Sequence, residues 1–138
     1  MKKNKKGFTL VELLAVIVVL AIIMIIAIPQ VMESMNAAKK NSFKIYAQKV
    51  LNTAMSKYQT DTLTGDGAKA CYTIDELMGN GKGNYVGKVT IDNTNPNSPD
   101  FKVYLSDGSY LVSGKNYSEL ETDSNITSSS TAANSTCS

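Results

Sequence analysis

Phe8 to Ile28 is a stretch of twenty-one residues carrying one charge, Glu12, and its last sixteen residues, Leu13 to Ile28, are apolar without a break. As a helix rising ~1.5 Å per residue it reaches about 31 Å, close to the hydrocarbon thickness of a bilayer. No other part of the chain holds comparable apolar sequence, so this segment reads as a single membrane span. Lys2, Lys3, Lys5 and Lys6 stand directly before it. By the positive-inside rule they keep the N-terminus cytoplasmic and send the remaining ~110 residues outward.

The chain has 138 residues and is 43% hydrophobic, but the span holds a large share of that figure. What remains is polar and supports one modest domain with a small core. The net charge is +2; without Met1 to Gly7, ten lysines would face twelve acidic residues, a balance of −2. That excludes a strongly basic nucleic-acid binder, and no specific nucleic-acid partner is expected. With no His and only two Cys, most familiar metal sites and every His-based triad are excluded; no cofactor, no metal and no enzymatic activity are expected.

A cleaved secretory signal needs a small-residue site after its apolar stretch, and Ala27-Ile28-Pro29-Gln30-Val31 offers no good match. A plain signal anchor leaves Glu12 unexplained. A charge inside an apolar span costs ~2.5–3.5 kcal/mol on insertion scales and needs a partner or a function.

Lys5-Lys6-Gly7-Phe8-Thr9-Leu10-Val11-Glu12-Leu13 resembles the processing and assembly signature of type IV pilins and their pseudopilin relatives. The shared features are a short basic leader ending in Gly, then Phe, then Glu as the fifth mature residue, then an unbroken apolar helix. The resemblance covers residues 2 to 30 and implies cutting between Gly7 and Phe8 by a prepilin peptidase, which also methylates the new amino group of Phe8. It further implies polymerisation with other pilin subunits, driven by cytoplasmic assembly ATPases and a platform protein. The physics agrees: a helix apolar all round that leaves lipid must be buried against like helices. There Glu12 can be satisfied by a Phe8 amine of its own or a neighbouring subunit, and stripping one partner from such a buried pair costs ~3–5 kcal/mol.

Pro29 removes a helical hydrogen bond and predicts a kink or local unwinding around Met24 to Ile28, at a point where pilins often carry a Pro. Beyond it Val31, Met35, Ala38, Phe43, Tyr46, Ala47, Val50, Leu51, Ala54, Met55 and Tyr58 recur at three- and four-residue steps, an apolar stripe that predicts helix to about Thr60. The stop is Thr62-Leu63-Thr64-Gly65-Asp66-Gly67. Lys39, Lys40, Lys44, Lys49 and Lys57 scatter around this helix and read as a solvated face.

The remainder predicts an α+β head: a long N-terminal helix packed on a small antiparallel sheet. Thr73-Ile74-Asp75-Glu76 reads as a capping box opening a helical turn through Met78. Gly79, Gly81 and Gly83 read as a flexible loop, lacking the ending of a phosphate-binding loop. Tyr85 to Ile91, Phe101 to Leu105 and Tyr110 to Val112 read as three strands, the last two joined at Asp107-Gly108. Asp92, Asn93, Asn95, Asp100 and Asp107 follow no calcium-loop spacing and read as turn residues.

Thr122 to Ser138 is nearly all Ser, Thr, Asn, Ala and Asp, too polar to order itself. Cys71 is the only partner Cys137 has within the chain, and an exported compartment permits oxidation; two free thiols or an intermolecular link are the alternatives. A bridge would close a loop of about 65 residues, worth roughly 4 kcal/mol in the chain-entropy model. In pilins a C-terminal disulfide often bounds the variable surface region. Asn116, Asn125 and Asn134 begin N-glycan acceptor patterns. The expected organisation is a cleaved leader (1–7), an apolar assembly helix (8–30), and an amphipathic helix with the globular head (31–138). The expected product is a structural subunit, a major pilin, made as a single-pass membrane precursor and assembled into an extracellular pilus for adhesion, surface motility or biofilm formation. The competing readings are a competence or secretion pseudopilin, and a signal-anchored protein with an exported binding domain.

Overall fold

A computed structural model describes residues 7–65 and 67–137; the leader lysines Lys2, Lys3, Lys5 and Lys6, and Asp66 of the helix stop, lie outside the described residues. The first element, α1, spans Leu10–Thr64. It outruns the expected end at Thr60 by four residues, and Thr60, Thr62 and Thr64 donate their hydroxyls to the carbonyls of Ser56, Tyr58 and Thr60. Gly65, at φ 77°, then turns the chain.

Two compact units divide between Ala38 and Lys39. In the first, every residue from Gly7 to Ala38 is exposed. Val31, Met35 and Ala38, expected on the stripe, fall in this unit and are exposed. Their spacing fits both a buried stripe and an apolar sleeve. Pro29 lies inside α1, and Met24 to Ile28 remain helical.

In the second unit the stripe is real from Phe43 onward. Phe43, Ala47, Val50, Leu51 and Ala54 are buried, with Tyr46, Met55 and Tyr58 packed at its margin. They share a core with a five-stranded sheet ordered β1-β2-β3-β4-β5, every neighbour antiparallel. The strands are β1 (Cys71–Thr73), β2 (Val86–Asp92), β3 (Asp100–Ser106), β4 (Tyr110–Lys115) and β5 (Thr127–Ser128). Alternation aims Tyr72, Val89, Ile91, Phe101, Val103, Leu105, Tyr110 and Val112 inward. The sequence reading found only the central three strands. With three and two residues, β1 and β5 are too short for alternation to show, and backbone pairing alone defines them.

Connections follow local chemistry. Thr73 and Glu76 form the reciprocal capping box that opens α2, Ile74–Met78. The glycines expected as flexible loop form a 3₁₀ turn, Gly79–Lys82, on which the Tyr46 hydroxyl donates to the Lys82 carbonyl at 3.2 Å. At the hairpin, Asp107 Oδ1 accepts from the amides of Ser109 and Tyr110 at 2.8 and 2.7 Å, with Gly108 at φ 85°. Gly87 sits so close to β3 that a Cβ there would lie 1.9 Å from the Tyr104 carbonyl oxygen, so only glycine fits. Asp92 and Asn95 accept from backbone amides two residues on, which accounts for the oxygen-rich loop.

Besides the Tyr46 bond, further polar ties hold α1 to the rest of the head. Lys44 donates to the Glu121 carbonyl at 2.8 Å and pairs with Asp123 at 3.3 Å. Near the other end the fully buried Tyr72 donates to Asp61 Oδ2 at 2.7 Å, and Lys57 pairs with the same carboxylate. Burial and the bond to Asp61 push the Tyr72 hydroxyl up to about 12, while that bond, ahead of Lys57, holds Asp61 below the usual carboxylate range. The Cys71–Cys137 disulfide is formed, with Cα atoms 5.7 Å apart.

The linkage has a definite sign at each end of the pH scale. The Tyr72 proton is held more tightly folded than unfolded, so its stabilisation is complete below the unfolded value of about 10 and is lost as pH rises toward the folded value. Asp61 acts oppositely: its stabilisation holds above an unfolded value of about 3.9 and is lost as pH falls through the lowered folded one. Thermal melts of wild type and Tyr72→Phe across pH 8 to 12 (a range set by about 10 for free Tyr) will show a wild-type decline that is shallower in the variant.

Candidate functional site

The residues singled out at the N-terminus come together. Gly7, Phe8, Thr9 and Glu12 line one open hollow at the start of α1. Thr9 is the last residue before the helix, and its amide donates to Glu12 Oε2 at 2.9 Å while the Glu12 amide donates to Thr9 Oγ1 at 3.3 Å. This is a capping box, satisfying two of the donors that a helix start leaves orphaned, and it explains why helix begins at Leu10 rather than Phe8. Thr-Leu-Val-Glu before an apolar run was a readable signal for it, as Thr73 to Glu76 was, and the sequence reading passed over it.

The box changes how Glu12 is understood. Its carboxylate is not bare within one chain: it holds a backbone donor at the positive end of the helix dipole. With the bond between Gly7 and Phe8 intact, Phe8 contributes a peptide nitrogen and no amine. Cutting there would place a new amino group one residue from the amide that Glu12 already binds. At Gly7 an added Cβ would meet nothing within 4 Å, so no contact of the described residues requires glycine at this position.

Beyond the box, Leu13 to Ile28 presents only apolar side chains, all of them exposed; Ile25 is at 75%. Among the described residues α1 is the one helix long and apolar enough to cross a membrane by length and composition. Of the other sequence-predicted residues, Pro29 lies within α1, and Cys71 and Cys137 belong to the second unit. Among the described residues no group of three or more acidic, His or Cys side chains is placed to hold a metal ion.

The family described as the prokaryotic N-terminal methylation motif matches residues 2–28. This motif is the class III signal peptide of type IV pilins. It supports membership among type IV pilins or pseudopilins, and with the apolar helix it fits a membrane-anchored precursor. No curated protein and no solved structure matches the chain.

Thr9→Val deletes the hydroxyl half of the box and will cost the helix start about 1 kcal/mol, a roughly fivefold change in local opening. Amide exchange in detergent micelles will show the Glu12 amide exchanging faster, with amides beyond Leu20 unchanged.

Proposed function

We propose that this chain is the precursor of a type IV pilin, a major subunit that polymerises through its N-terminal helix into a surface filament. The observation that carries the reading is the apolar helix of Leu13 to Ile28, solvent-facing in the single chain, set behind a Gly7–Phe8 junction with Glu12 as the fifth residue after it. Such a surface is stable only in lipid or against other apolar surface. The precursor uses the bilayer, leader inside and head outside; the filament supplies the second dry environment, made of like helices.

The proposed organisation is a leader (1–7), an assembly helix (8–30) and a head with its helical stem (31–138). Prepilin peptidase cuts after Gly7 and methylates Phe8, releasing the four lysines that hold the N-terminus at the cytoplasmic face. The steric freedom around Gly7 supports a glycine read by the peptidase rather than required by the fold. Glu12, already aimed at the helix start, then takes the Phe8 amine as its charged partner during assembly, and Pro29 gives the packed helix a place to yield. Assembly ATPases and a platform protein supply the work, and the filament serves adhesion, surface motility or biofilm formation.

Glu12→Ala tests this reading. The expected result is normal removal of the leader, mature protein retained in the membrane, and no surface filament; unchanged filaments would overturn it. Short, sparse wild-type filaments would instead mark a competence or secretion pseudopilin. A leader that stays attached would mark a signal-anchored protein.

A further inference from the structure

We infer that Ser130 to Cys137 is a strap latched by one disulfide, and that a dithiol reductant frees it and uncovers the surface around Lys88 and Tyr104 while the rest of the head stays folded. The strap starts where β5 ends. The Ser129 amide donates to the Ser109 carbonyl at 3.0 Å, Ser106 Oγ donates to the Thr131 carbonyl at 2.9 Å, and Lys88 Nζ donates to the Thr136 carbonyl at 2.7 Å. Cys137 then joins Cys71 of β1. The chain thereby returns from the β4–β5 side of the sheet to its opposite edge. Tyr72 and Val103 point inward, so Cys71 and Tyr104 lie on the outward face, as does Lys88, whose Nζ stands 5.9 Å from the centre of the Tyr104 ring.

Energetics separate this strap from the head. The main core cluster ends, in sequence, at Ile126 and includes no residue of the strap. Within the strap only Ala133 is buried, and the remaining described residues are small and exposed, Cys137 included. Few apolar contacts oppose the conformational entropy such a segment regains when freed. The covalent bond therefore supplies most of the restraint, and its exposed sulfur is open to attack. One thiolate of a dithiol attacks Cys137 Sγ, the Cys71 thiolate leaves, and the second thiol closes the reagent into its own disulfide. Two electrons pass to the protein, leaving two cysteine thiols.

The test uses the full-length protein in detergent micelles, treated with graded dithiothreitol, alkylated, and acylated with an acetyl N-hydroxysuccinimide ester before mass spectrometry. Once both cysteines are alkylated, Lys88 acylation will rise severalfold, with Lys102 and Lys115 unchanged and the circular dichroism of the head preserved. Cys137→Ser will reproduce this pattern without reductant. Lys88 labelling that stays flat after reduction would overturn the inference. So would a joint rise at Lys88, Lys102 and Lys115 with lost ellipticity, because the disulfide would then be a staple of the whole head.

Discussion

An apolar helix with one carboxylate near its start cannot rest in water, and that constraint organises the rest of the chain. From Leu13 to Ile28 the apolar side chains are exposed all round the helix among the described residues. A soluble domain would bury such a helix; here burial must come from lipid or from other molecules. Glu12 fits this state because the capping box gives its carboxylate a backbone donor within the same chain, reducing the cost of holding it in an apolar setting. The same carboxylate stands where a freshly cut N-terminus would appear.

The head solves a different problem, building a stable unit from a polar hundred residues. Its core is a single layer: one helical stripe, from Phe43 to Ala54, facing inward side chains of β1 to β4, with Ile74, Leu120 and Ile126 added from the connections. Such a core is small, and polar devices supplement it. Lys44 ties the helix to residues 121–123, Tyr72 and Asp61 tie its far end to β1, and Thr73 with Glu76 caps α2. The disulfide holds the last residues, which have almost no apolar surface to hold themselves.

How legible each part was depended on how much physics is local. The span, the helical stripe from Phe43, the capping box at Thr73 and the hairpin at Asp107 each follow from a few neighbouring residues, and the structure contains all four. For Val31 and Met35, apolar spacing says nothing about which surface covers them. The outer strands β1 and β5 escaped notice because pairing to a neighbouring strand is not written in two or three residues. The threonines after Tyr58 read as a helix stop on propensity, yet the helix runs on to Thr64. At the candidate site, order and spacing single out Gly7, Phe8 and Glu12, which line one hollow, whereas Thr9 of the capping box was legible and overlooked. The sequence favours a Cys71–Cys137 bridge over two free thiols or an intermolecular link, and the structure forms it.

The most direct measurement is the intact mass and N-terminal fragmentation of protein sheared from the cell surface, taken without reduction. The account predicts a chain that begins at N-methylated Phe8 and is two hydrogens lighter than its fully reduced form, the mass of a Cys71–Cys137 bridge. A chain that retains Met1 to Gly7 and is found only in membranes would contradict it.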